Sequence, residues 1–287
     1  MNDFVIFTDS GCDTSQEVLD KWGIIKKDLT FRFNDGKEYH DSEMSSGEFY
    51  QRMADGDVAK TSAVNSETFK EAFREEIEKG KDVLFVAFSS GISATYNSGR
   101  IAIDELKEEY PDRKLYAVDS LCASVGAGLI LYLISEKKKA GATIEEINEY
   151  IIKNRMKIDT WFTVESLEYL KRGGRLSATS AFVGTILNIK PVLRVDREGK
   201  LENTAKVRGR KASLKALADK YTELADNPSE GPVFIGQGAC MDDAKTLADM
   251  IKEEHGVDVM LISDVGPVIG AHTGPGIMVL SFVCKDR

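Results

Sequence analysis

The chain has 287 residues, 42% of them hydrophobic and 30% charged, which excludes intrinsic disorder and suits two domains of ordinary size. A net charge of −9 argues against nucleic acid as a partner. Cys12, Cys122, Cys240 and Cys284 form no Cys-x-x-Cys pair for a metal cluster, and the longest apolar run, Val125 to Ile134, is too short for an integral membrane segment.

Phe4 to Phe7 predicts a short buried strand ending in Thr8-Asp9-Ser10. No basic leader precedes it, so a cytoplasmic location is expected. A helix follows from Ser15 to Trp22, then a strand from Ile24 to Phe33 and a hairpin turn at Asn34-Asp35-Gly36 returning through Lys37 to His40. Ser45 or Ser46 caps a helix ending near Ala54, and residues 60–66 read as a polar connection. The next helix carries Phe69, Ala72, Phe73 and Ile77 on one face. Val83 to Phe88 is uninterrupted apolar sequence, the pattern of a strand buried on both faces. It leads into Ser89-Ser90-Gly91-Ile92-Ser93-Ala94-Thr95, a tight turn and a helix start. Lys114 to Val118 is a strand, Ala123 to Lys139 a core helix, and Thr143-Ile144-Glu145-Glu146 a capping box opening a helix to Lys153. Alternating strands and helices imply a parallel sheet covered on both faces. Three strand ends (Thr8 to Ser10, Ser89 to Ser93, Asp119-Ser120) put hydroxyls on one edge of that sheet. The carboxyl ends of strands and the starts of helices attract anions, so a carboxylate or phosphate ligand is expected.

From Asp159 the pattern changes. Trp161 to Val164 is strand-like, Leu167 to Leu170 is a helical turn stopped by Gly173-Gly174, and Lys190 to Val195 with Leu201 to Val207 forms a hairpin. A helix (Ala212 to Leu224), a strand (Val233 to Gly236), a helix (Ala244 to Glu254) and strands at Val257 to Ile262 and Ile277 to Val283 complete the chain. The fold class is therefore α/β, with an N-terminal parallel-sheet α/β domain (1–156) followed by an α+β domain (157–287). Between the last two strands, residues 266–276 hold four glycines and two prolines around His272, a density that fixes an unusual backbone path. His40 and His255 read as structural. Residues 151–211 carry 14 basic against 6 acidic side chains, and this excess sits at predicted hairpin and helix ends.

Thr8-Asp9-Ser10, Lys60-Thr61-Ser62, Phe88 to Tyr96, Leu167 to Arg175 and Gly270 to Gly276, taken in this order, closely resemble the DegV family. Each motif is weak alone, but five in sequence across nearly the whole chain are specific. The family is similar to the fatty-acid-binding (FakB-type) subunit of bacterial fatty acid kinase. The resemblance implies a long-chain fatty acid buried between the two domains, its carboxylate held by Thr61, Ser62, Ser93 and His272. A separate kinase subunit would convert it to an acyl phosphate with ATP. The chain would then be a lipid-binding subunit, with no catalytic residue, metal or cofactor of its own. The exposed basic groups Arg172, Arg175, Arg208 and Arg210 are expected to dock that kinase. Two departures stand out: Ala63-Val64 where the family often has Gln-Pro, which changes a loop close to the expected carboxylate and so bears on ligand choice, and Ala94 where it often has Gly, which a helical position tolerates.

The alternative is a serine hydrolase. Gly91-Ile92-Ser93-Ala94-Thr95 nearly matches a nucleophile elbow, and Asp264 and His272 follow in triad order. The β-branched Thr95 at the last elbow position spoils the match. No Walker A pattern is present, and Gly236-Gln237-Gly238 reads as a tight turn, so no ATP site is expected.

Overall fold

The computed structural model describes residues 3–176 and 188–287. The chain opens with β1 (Phe4–Asp9), α1 (Gln16–Trp22) and β2 (Ile24–Lys27), and Ser15 caps α1 by accepting from the Val18 N–H. β3 (Thr30–Arg32) and β4 (Glu38–His40) form the expected hairpin. Then come α2 (Ser46–Ala54) behind its Ser45 cap, β5 (Lys60–Ser62) and α3 (Ser66–Glu78). β6 (Asp82–Ala87), α4 (Thr95–Glu109), β7 (Leu115–Asp119), α5 (Val125–Lys139) and α6 (Ile144–Asn154) complete the first half, with the Thr143/Glu146 capping box formed. The second half begins with β8 (Ile158–Thr163), α7 (Glu168–Arg172), β9 (Ile189–Val195), β10 (Leu201–Arg208) and α8 (Arg210–Leu224). It ends with β11 (Val233–Gln237), α9 (Met241–His255), β12 (Leu261–Asp264), α10 (Pro267–Thr273) and β13 (Met278–Val283).

The first half is built on a parallel sheet of order β2-β1-β6-β7. Phe69 and Phe73 of α3 with Ile103 and Leu106 of α4 bury one face against Val5, Phe7 and Phe85. Leu129, Ile130 and Ile134 of α5 lie in one core with Ile6, Leu84 and Val86 of the other face. The second half is α+β, on a sheet of order β10-β9-β8-β13-β11-β12 in which only β11 and β12 pair in parallel. The same α5 packs on this sheet too, with Phe234 and Val279 in its core cluster. Packing against both sheets explains why its Val125 to Ile134 stretch is apolar all round, while the last turn is charged. Gly126 makes the approach possible, because a Cβ there would overlap Thr160 Oγ1. Among the described residues no helix is long and apolar enough to cross a membrane.

Four elements differ from the sequence-based expectation. The stretch 24–33 is two strands: it breaks at Asp28-Leu29, where the Leu29 N–H donates to Ser10 Oγ, and β3 joins a separate sheet of order β4-β3-β5. Residues 60–62 are a strand of that sheet, with Thr61 opposite Phe31. Three residues are too few to display an alternating pattern. The strand expected at 257–262 starts at Leu261, and the Gly/Pro-dense segment contains the short helix α10. Pro267 fits there because the first helical position needs no N–H and a fixed φ.

Candidate functional site

A cavity of about 240 Å³ lies between the two halves. Leu29, Phe88 and Ala123 line it from the first half, and Phe162, Val195 and Val279 from the second. Apolar walls of this kind favour an aliphatic ligand in proportion to the area they remove from water. The β9–β10 hairpin covers one side. Its turn is docked on the first half, because buried Ser89 Oγ donates to Gly199 O at 2.7 Å, and Gly91 leaves no room for a Cβ beside that carbonyl. Val195 and Leu201, on either side of the turn, are thereby held on the cavity wall.

The polar lining is drawn together by α10. Asp13 Oδ1 accepts from the Gly266 N–H and Asp41 Oδ1 from the Val268 N–H, both at 2.9 Å, so two buried carboxyls hold the start of this helix. Burial pushes Asp41 up to about 6 and Asp13 well above the usual carboxylate range. Tyr50 donates to Val265 O at 3.1 Å, and Gly270 lets α10 close against Tyr50 and Phe49. At the far end of α10, His272 Nε2 lies 2.8 Å from Thr61 Oγ1 of β5. Gly173, just past α7, packs so tightly on the imidazole that a Cβ would overlap its Nδ1 edge. That buried Nδ1 has no hydrogen-bond partner among the described residues.

Burial, reinforced by the Arg175 and Arg172 cations, lowers His272 to about 4. The ring is neutral at neutral pH and offers one N–H donor. Arg175 donates to Ile92 O at 3.2 Å and to Gly173 O at 2.6 Å, which ties α7 to the loop carrying Ser93. Ser93 Oγ accepts from the Thr95 N–H at 3.2 Å and lies 2.9 Å from Thr95 Oγ1. Thr61, Ser93, Arg175 and His272 all line the cavity. Two hydroxyls, a neutral imidazole and a guanidinium are donors matched to a carboxylate.

Residues 3–285 match the family model described as "Uncharacterised protein, DegV family". The chain belongs to the DegV family. Over 286 residues it is 43% identical to a DegV domain-containing protein of Clostridium perfringens, covering 99% of this chain and 98% of that one. Among solved structures, a stearic acid-binding protein from Eubacterium ventriosum is similar at 26% identity and a TM-score of 0.89, with 98% of each chain covered. A fatty acid-binding DegV family protein from Thermus thermophilus is similar at 28% identity and a TM-score of 0.88, covering 98% of this chain and 99% of that one.

In this DegV protein the expected site residues do not all meet. Thr61, Ser93 and His272 reach the cavity, whereas Ser62 is exposed and outside its lining, since neighbours on a strand point to opposite faces. Arg175, expected on an exposed edge, is instead half-buried in the cavity wall. Arg210 is bound to Asp243 at 2.8 Å and to Cys240 Sγ at 3.3 Å, which makes it a brace of α8 on α9 and not a free rim charge. Arg172 and Arg208 are exposed, with Arg172 4.9 Å over the Tyr169 ring. The hydrolase arrangement is not formed. Exposed Asp264 accepts from the Gln237 amide, and the bonded partner of His272 is Thr61. Most of the hydroxyl edge is also used internally: Thr8 Oγ1 donates to Val86 O, Ser10 Oγ accepts from Leu29, and Ser89 holds the hairpin. Ala94 has helical angles (φ −78°, ψ −6°), so alanine in place of glycine there carries no strain. Asp13, Asp41 and Gly173 were missed as site residues. Gly173-Gly174 is visible in the sequence, but nothing local marks the two aspartates as braces of α10.

Proposed function

We propose that this DegV protein binds a long-chain fatty acid in the cavity and presents its carboxylate to a separate ATP-dependent kinase subunit. The observation that carries this reading is a mainly apolar cavity whose polar lining includes the donors Thr61, Ser93, Arg175 and His272. The fatty acid binding described for the Thermus thermophilus and Eubacterium ventriosum proteins supports it. Burying roughly fifteen methylenes at about 0.8 kcal/mol each gives a gross ~12 kcal/mol before ordering costs. The tail then supplies the affinity, and the polar groups fix which end faces the partner. A carboxylate oxygen attacks the γ-phosphorus of ATP as its bond to ADP breaks, yielding acyl phosphate and ADP. This chain acts as the lipid-binding subunit, in the cytoplasm, and residues 1–156 and 157–287 serve as the two domains that enclose the acyl chain. Exposed Arg172 and Arg208 form the basic surface met by the kinase.

Mass spectrometry of protein purified from a bacterial host tests the binding. One acyl chain per protein molecule is expected. No bound acyl species together with no uptake of added fatty acid would remove the proposal. Release of ADP on adding the kinase subunit and ATP to the loaded protein tests the presentation step.

A further inference from the structure

His272 and Thr273 end α10, Ile277 follows on the cavity wall, and β13 then runs away from the polar groups. β8 is antiparallel to β13. Thr163 opposite Met278 is therefore nearest the polar end, and Phe162 opposite Val279 and Thr160 opposite Ser281 lie successively deeper. Ile277 to Ser281 spans about 13 Å of strand. Along this path the wall changes character. Phe162 and Val279 are followed by the hydroxyls of Thr160 and Ser281, and Thr160 is part of the cavity lining. Thr160 is 1% exposed, and its Oγ1 accepts from Ser281 Oγ at 3.0 Å. Behind the same oxygen lies Gly126, where even a Cβ would not fit. Ala123 and Ser124, immediately before α5, also line the cavity, so the helix enters the wall at this depth.

We infer that Thr160 is the floor of the acyl-tail site and sets the longest chain that the protein accepts. The inference rests on the fatty acid reading above. Thr160 is pinned by Ser281 on one side and by the α5 backbone on the other, so it cannot yield to a chain that is one carbon too long. Close-packed walls resist even a single added methylene. The polar groups anchor one end of the ligand and Thr160 limits the other.

The test loads wild type, Thr160→Ala, Thr160→Ser and Thr160→Ile with an equimolar mixture of saturated fatty acids of successive chain lengths, and quantifies the bound species by denaturing mass spectrometry. Thr160→Ala and Thr160→Ser are expected to raise the share of longer over shorter chains by about fourfold for each methylene newly admitted. Thr160→Ile is expected to move the distribution toward shorter chains. Thr160→Ser keeps the hydroxyl that accepts from Ser281, so it decides the matter if the other two variants fold poorly. Distributions identical to wild type, with fatty acid bound, overturn the role of Thr160 and leave lipid binding standing. No uptake even by wild type overturns both.

Discussion

His272 is held from three directions, by Thr61, by the close backbone of Gly173 and by its place at the end of α10. Gly173→Ala leaves α7 its helical geometry but pushes the imidazole aside, so it is expected to reproduce the phenotype of His272→Ala without touching the histidine. A hydrogen bond to a charged group is worth about 1.5–3 kcal/mol, well below the gross tail contribution. Fatty acid affinity should fall by roughly one to two orders of magnitude in His272→Ala and Ser93→Ala, while phosphorylation of the bound acid, which depends on carboxylate placement, falls much further. Titration of fatty acid against kinase-dependent ADP release separates the two losses. Equal losses would mean that these residues only hold the ligand.

At the scale of elements, α10 owes its position to carboxyls from β1's loop and the β4–α2 connection. Asp41→Ala removes the acceptor of the Val268 N–H and should cost about 1–2 kcal/mol in denaturant unfolding, as for a lost helix cap. Asp41→Asn keeps an acceptor oxygen and removes a buried charge, so it should be neutral or slightly stabilising at neutral pH. A large loss in both variants would show that the negative charge itself holds α10. Beyond α10, Arg172 on α7 and Arg208 on β10 offer exposed cations. Reversing both to Glu is expected to slow association with the kinase subunit and to flatten its salt dependence, with fatty acid binding unchanged. Association kinetics at two ionic strengths check this. Unchanged kinetics would move the docking surface elsewhere.

The whole molecule joins its halves through Asp13, Asp41 and α5, while a third buried acid, Asp9, ties strands within the first half. Asp9 accepts from the Gly11 and Phe88 N–H groups, stitching the ends of β1 and β6, and burial raises it to about 7. Asp41 is raised to about 6 and Asp13 is also raised, whereas His272 is lowered to about 4. The signs oppose each other. On acidification the folded carboxyls take up protons before their unfolded counterparts, which favours the folded state. Unfolded His272 takes its proton first, which disfavours it. Burial raises Asp159 as well, and together the raised acids outweigh one lowered histidine, so stability should rise between about pH 7.5 and pH 5. Denaturant midpoints across that range test it, and a steady fall would place the histidine in control.

The parallel sheet, the α5 core helix, the Thr143 capping box and the glycine-rich turns were legible in the sequence, because apolar runs, helical spacing and caps are properties of neighbouring residues. The five ordered motifs grouped Thr61, Ser62, Ser93 and His272 through the family resemblance, and of these Thr61, Ser93 and His272 line one cavity although they lie far apart in the chain. Tertiary structure alone decided that residues 60–62 form a strand, that the segment around His272 is helical, and that Arg175 faces the cavity while Ser62 does not. A three-residue strand shows no periodicity, and a seven-residue helix with Pro267 at its start, Gly270 in its middle and glycines on both flanks has little propensity to announce itself. Both are stabilised by partners distant in sequence: Phe31 pairs with Thr61, and Asp13, Asp41 and Tyr50 brace α10. The depth of the cavity belongs to the same class, since it depends on how closely Gly126 lets α5 approach Thr160, a distance set by the packing of two sheets on one helix.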